Sequence, residues 1–176
     1  EQFHEMAKSA TRSQRINAHH IGGRGGAAWA AFNARFKDDF DFYVYDADPA
    51  CFDQMEERSD GDETVIAAAV TGGAGLRELN VNYDPYTSSL LKPDPEHETY
   101  FYNNGIWDYV FKDVTRVEEV VMLEGNSLTT LAERHGFALD YVSIDTQGSE
   151  FEIISGASEE LFTDTVAVRT ELSFVP

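Results

Sequence analysis

Two aspartates and a cluster of glycines are the residues of this chain whose placement could do chemistry. Asp145 closes the short apolar run Tyr141-Val-Ser-Ile144 and is followed by the polar turn Thr146-Gln-Gly148. Asp46 closes Phe42-Tyr-Val-Tyr45, a short way downstream of Ile21-Gly-Gly-Arg-Gly-Gly26. Glycines between a strand and a helix let backbone approach a ligand closely, and the amino end of the helix favours a carboxylate or phosphate. An acid about twenty residues further on, at the end of the next strand, is where a carboxylate holds ribose hydroxyls. Two vicinal hydroxyls can donate to its two oxygens. Glycine turn and acid together point to an adenosine-containing ligand without saying which one. Gly23-Arg-Gly-Gly-Ala-Ala28 also fits the dinucleotide pattern with a terminal alanine.

Asp145 ends a strand that turns on a glycine and enters a helix, and ligands of open α/β sheets sit outside such strand ends. That makes it the candidate reaction centre, beside the plainer role of an acid that starts a helix. Ser149 and Glu152 have the spacing of a capping box for that helix. Glu150 lies in its first turn, where the helix dipole favours a carboxylate regardless of function. His19 and His20 stand at the glycine turn, so either could act as a general base. His135 falls at a helix end that welcomes a cation. One cysteine and no metal-ligand spacing give no reason to expect a metal.

The elements that must hold these residues alternate. The residues up to Ile21, then Phe42–Tyr45, Thr64–Val70, Val117–Leu123, Tyr141–Ile144 and Thr165–Leu172 read as strands. Leu76–Val81 reads as a short strand returning along the sheet edge. Ala27–Phe36, with Trp29, Phe32 and Phe36 on one face, reads as a helix. Asp48-Pro49 opens another through Arg58, and a third runs from Ser127 to Gly136. The pattern predicts one domain over residues 1–176 with a doubly wound α/β sheet. Residues 83–116 are an irregular insertion, and Tyr100, Phe101, Tyr102, Trp107, Tyr109 and Phe111 concentrate aromatics there. They make either a lid-like segment packed on the core or an aromatic platform for a sugar or polyketide acceptor.

A net charge of −19 argues against nucleic acid as a partner and against docking on anionic lipid. No apolar run is long enough to span a membrane, and residues 1–20 lack a signal-peptide core. The single Cys51 excludes an internal disulfide, and a cytoplasmic setting is the expectation.

Val142-Ser-Ile-Asp-Thr-Gln-Gly-Ser-Glu-Phe-Glu-Ile-Ile-Ser-Gly-Ala157, followed by Thr170-Glu-Leu-Ser-Phe-Val-Pro176, resembles the strand-four-to-strand-five segment of the FkbM family of S-adenosylmethionine-dependent methyltransferases. His19-His-Ile-Gly-Gly-Arg-Gly-Gly26 resembles the first cofactor motif of that family, and Val44-Tyr-Asp-Ala-Asp-Pro49 its second. Thr87–Pro93 and Ser127–Leu131 resemble two later segments. His20 stands where the first motif usually has an acid, and residues between Pro93 and Val117 have no clear counterpart. The resemblance implies a Rossmann-like class I methyltransferase sheet lacking its last two strands. It implies S-adenosylmethionine held by Gly22, Gly23, Arg24, Gly25, Asp46, Ala47, Ala69, Val70 and Asp145, with Asp145 and His20 at the reaction centre. The reaction implied is O-methylation of a small molecule or glycan. A nicotinamide-dependent oxidoreductase and a non-catalytic binding domain are the alternatives. Thr165–Leu172 is expected beside Tyr141–Ile144, with its outer edge covered by chain beyond Pro176 or by a second copy in a homodimer.

Overall fold

A computed structural model describes residues 15–25, 38–59, 63–94 and 111–171. The helix expected over 27–36 and the aromatics from Tyr100 to Tyr109 lie outside the described residues.

Five parallel strands form the central sheet: β1 (Ile16–Ile21), β2 (Phe40–Asp46), β3 (Glu63–Ala67), β7 (Tyr141–Ile144) and β8 (Ala167–Thr170). Their order is β3-β2-β1-β7-β8. The chain therefore winds one way from β1 through β2 to β3, and the other way through β7 to β8. Val44 and Tyr45 point to opposite faces, as neighbours in a strand must, and each face has its own cover. Val44 packs with Cys51 and Met55 of a short 3-10 turn (Pro49–Cys51) and helix α1 (Phe52–Ser59). Tyr45, Ile21, Val142 and Ile144 pack under Leu128 and Leu131 of α3 (Leu128–His135) and Ile153 of α4 (Glu150–Gly156). Helices on both faces of a parallel sheet make the architecture α/β, an arrangement compatible with a Rossmann-like fold.

Local chemistry sets several boundaries as the sequence predicts. Asp48 caps the turn into α1 by accepting from the Ala50 N–H at 2.9 Å. Ser127 accepts from the Thr130 N–H, and Gly136 ends α3 at φ 70°, a conformation that costs glycine nothing.

Three expectations are corrected. Thr64–Val70 is not one strand. The Ala68 N–H turns back to the Asp46 carbonyl at 3.0 Å, and β4 (Ala69–Val70) leaves for a second sheet. That sheet has the order β4-β6-β5, with β6 (Val117–Asn126) parallel to β4 and antiparallel to β5 (Gly75–Asn82). Leu76–Val81 and Val117–Leu123 are thus strands, but of this smaller sheet and not of the central one. The capping box at α4 does not form either: Ser149 makes no side-chain cap, and the Glu152 carboxylate is drawn to the Gly72 N–H and to Arg77.

Residues 83–116 run between β5 and β6. The segment is closed at its base by the Tyr83 N–H on the Arg116 carbonyl (2.8 Å) and the Asp84 N–H on that of Val114 (3.0 Å). Within it are a 3-10 turn (Pro85–Thr87) and the one-turn helix α2 (Phe111–Val114). Among the described residues no helix is long and apolar enough to cross a membrane.

Candidate functional site

The chain reverses its winding between β1 and β7, and a crevice opens where the two strand ends part. A cavity of about 340 Å³ lies there. Its walls come from the carboxyl ends of β1, β2, β7 and β8, from β5, and from Tyr86 and Ser88–Leu90.

The glycine turn and the Asp145 turn meet at the floor. Gly22, at φ 91°, donates to the Tyr45 carbonyl at 3.0 Å, and the Asp145 N–H donates to the Ile21 carbonyl at 2.8 Å. A Cβ on Gly22 would overlap the Asp145 carbonyl, so only glycine fits this closest approach of the two strand ends. Asp46 extends β2 into the cavity. Its carboxylate accepts the Arg24 N–H on one oxygen and the Asp48 N–H on the other, both at 2.9 Å. Arg24 in turn pairs with Asp48, and both belong to the wall. The acid at the end of β2 thereby ties the glycine turn to the start of α1.

On the other side, Asp145 is exposed and accepts from the Gln147 side-chain amide at 2.7 Å. Gln147 has φ 56° and Gly148 φ 115°, a turn conformation that costs energy for glutamine. Glu150 holds it. Its buried carboxylate accepts the N–H groups of Thr146 (2.9 Å) and Gly148 (3.0 Å) and the Thr146 hydroxyl (3.2 Å). The Ser89 hydroxyl donates to the Gln147 carbonyl at 2.8 Å, which draws the 88–91 segment onto the same turn.

Of the residues expected to bind a cofactor or react, His20, Gly22, Arg24, Asp46, Ala47, Val70 and Asp145 come together on the cavity wall. Gly23 and Ala69 do not. Gly23 is buried against Val44, where a Cβ would collide with that side chain. Gly25 completes the 3-10 turn Gly23–Gly25. Ala69 pairs with Gly125 in the smaller sheet, and Ala68 faces the cavity in its place. Sequence reasoning gave no site role to Tyr86, Ser88, Ser89, Gln147 or Arg169. Only the family-like segment beginning at Thr87 carried a signal for the serines.

His19 and His20 separate in role. His19 is fully buried beneath the sheet face, with one ring nitrogen 2.9 Å from the Ala138 carbonyl and the other 2.8 Å from the Tyr45 hydroxyl. The carbonyl can only accept, so Nε2 carries the proton and Nδ1 accepts from the phenol. Burial drives the His19 pKa down to about 4 and pushes the Tyr45 phenol up. A general-base role for His19 is thereby removed, and His20 is the histidine at the cavity. Among the described residues no three His, Cys, Asp or Glu side chains are grouped to hold a metal ion. Comparison with protein-family models, with curated proteins and with solved structures gives no match for this chain.

Proposed function

We propose that this chain is an S-adenosylmethionine-dependent methyltransferase acting on a hydroxyl of a small molecule or glycan. The observation that carries the reading is Asp46: an acid at the end of the second strand, facing a crevice at the point where the sheet reverses.

The residues fit the cofactor. Each Asp46 oxygen accepts one backbone N–H and keeps a lone pair for a ribose hydroxyl. The cavity volume falls in the range of small-molecule sites, about 300–1,000 Å³. Asp46 and Asp145 are both on the wall, and carboxylates suit a cationic sulfonium. When bound, S-adenosylmethionine would supply an electrophilic methyl group on that sulfonium. In this reading Asp46 fixes the ribose, and Asp145 accepts from the methionine ammonium or orients the acceptor hydroxyl. His20 takes the hydroxyl proton. Holding the nucleophile close and aligned contributes the rest. The same reading carries a cytoplasmic setting, with Cys51 a buried free thiol.

Calorimetry with S-adenosylhomocysteine and with NAD tests it. S-adenosylhomocysteine is expected to bind and NAD not to. Asp46→Asn should weaken that binding at least about tenfold, the loss of charge-assisted hydrogen bonds worth roughly 1.5–3 kcal/mol. Binding of NAD alone would establish the nicotinamide reading, and binding of neither would leave a non-catalytic domain.

A further inference from the structure

Most charged groups on the cavity wall are already engaged. Asp46 holds two backbone N–H groups, Asp48 holds Ala50 and Arg24, and Asp145 holds Gln147. Arg169 differs. It lines the cavity from β8, yet among the described residues its guanidinium makes no hydrogen bond or ion pair. In a chain with 32 acidic and 13 basic Lys or Arg residues, carboxylate partners are abundant. Arg169 is exposed on β8 beside the cavity, and without such a partner its guanidinium keeps its five donors for a ligand.

Its position says which part of a ligand it meets. In register, Arg169 lies beside Ser143, which lies beside His20, so the three share one face across β8, β7 and β1. Strand spacing of about 4.8 Å puts β8 three intervals, roughly 14 Å, from β2 and its Asp46. β8 is one interval beyond β7 and its Asp145. A ligand anchored by its ribose at Asp46 therefore reaches Asp145 first, and Arg169 stands on the far side, where the second substrate enters. The net charge of −19 disfavours any anion nearby, so an anionic substrate needs a local cation to be held.

We infer that Arg169 recognises an anionic group, a carboxylate or a phosphate, on the acceptor. This rests on the methyltransferase reading and narrows its substrate class to hydroxylated acids or phosphorylated sugars. The planar guanidinium can grip either oxyanion with two parallel N–H donors.

The test uses matched probes on protein loaded with S-adenosylhomocysteine: glucuronate and glucose 6-phosphate against glucose, and 3,4-dihydroxybenzoate against catechol. Affinities are read by calorimetry and ligand-observed NMR for wild type, Arg169→Gln and Arg169→Lys. At least one charged probe is expected to bind about tenfold tighter than its neutral counterpart. Whichever arm shows the preference distinguishes carboxylate from phosphate. R169Q should abolish the preference and R169K retain part of it, with affinity for S-adenosylhomocysteine unchanged in both. Equal binding of charged and neutral probes, or binding of no charged probe, would overturn the inference. So would a loss of S-adenosylhomocysteine affinity in R169Q with the anion preference intact, which would move the guanidinium to the cofactor's own carboxylate. If wild type fails to bind S-adenosylhomocysteine, the methyltransferase reading falls. The charge preference and its loss in R169Q are then read on the unloaded protein, where they stand or fall separately.

Discussion

Gly22 and Asp145 touch through their backbones: the α-carbon of one lies where the carbonyl of the other leaves no room for a side chain. This contact closes the floor of the cavity and joins the two halves of the winding, since Gly22 follows β1 and Asp145 follows β7. Gly22→Ala meets both that carbonyl and a φ of 91°. The expected cost is roughly 3 kcal/mol or more. Urea unfolding of the variant checks it, and a midpoint close to wild type would mean that the strand ends can part.

Glu150 should prove structural in effect: it bonds directly to Thr146 of the cavity wall without lining the cavity itself. Its buried carboxylate receives donors from Thr146 and Gly148, and removing it leaves those N–H groups without their acceptor. Glu150→Ala is expected to cost about 2–4 kcal/mol. Faster hydrogen exchange at the amides of residues 146–148 should accompany the loss. Exchange that rises uniformly across the sheet instead would show that the turn does not depend on this carboxylate.

Stability should fall with acid through His19. Its folded pKa of about 4 lies below the ordinary 6.5, so the unfolded chain binds more protons between these values. Stability from this group is therefore full above about pH 6.5 and is lost as pH falls toward 4. The difference corresponds to about 3 kcal/mol. His19→Gln should flatten that part of the pH profile measured by chemical denaturation. A profile of unchanged slope would assign the acid sensitivity to other groups.

Gly156 ends α4 directly against Gly72, and a Cβ there would run into the Gly72 carbonyl. Gly156→Ala should push α4 away from the loop before β5 at a cost of about 1–3 kcal/mol. The Glu152 contacts with the Gly72 N–H (3.2 Å) and Arg77 (3.3 Å) would loosen with it. A thermal midpoint unchanged from wild type would contradict such tight packing.

Much of the central sheet was legible because its strands are short apolar runs, and two of them end in an acid. Asp46 and Asp145 advertise strand ends, and Gly22 advertises a close approach. The smaller sheet was not legible. Val117–Leu123 carries the apolar run Val120–Leu123 that a strand of either sheet could have, and nothing local says that its partner is Gly75–Asn82 and not the parallel sheet. Glu150 was obscured because a glutamate in a first helical turn is favoured anyway, while its real donors belong to a turn whose path only the tertiary structure fixes. Arg169 sits inside Thr165–Leu172, which reads simply as a strand. Its place on the cavity wall follows from a register with Ser143 and His20 that no single segment encodes.

The base of the 83–116 excursion is sealed by backbone bonds from Tyr83 to Arg116 and from Asp84 to Val114, and the Thr87 hydroxyl and the Arg116 guanidinium over the Tyr83 ring add to them. Such a seal depends little on the number of residues beyond it, because lengthening a closed loop costs little extra entropy. Tyr86 and Ser88–Leu90, just inside it, form one wall of the cavity. The hairpin of β5 and β6 thus works as a socket. A change of sequence or length above it would retailor one wall of the cavity while the parallel sheet, Asp46 and the Gly22–Asp145 floor stay as they are.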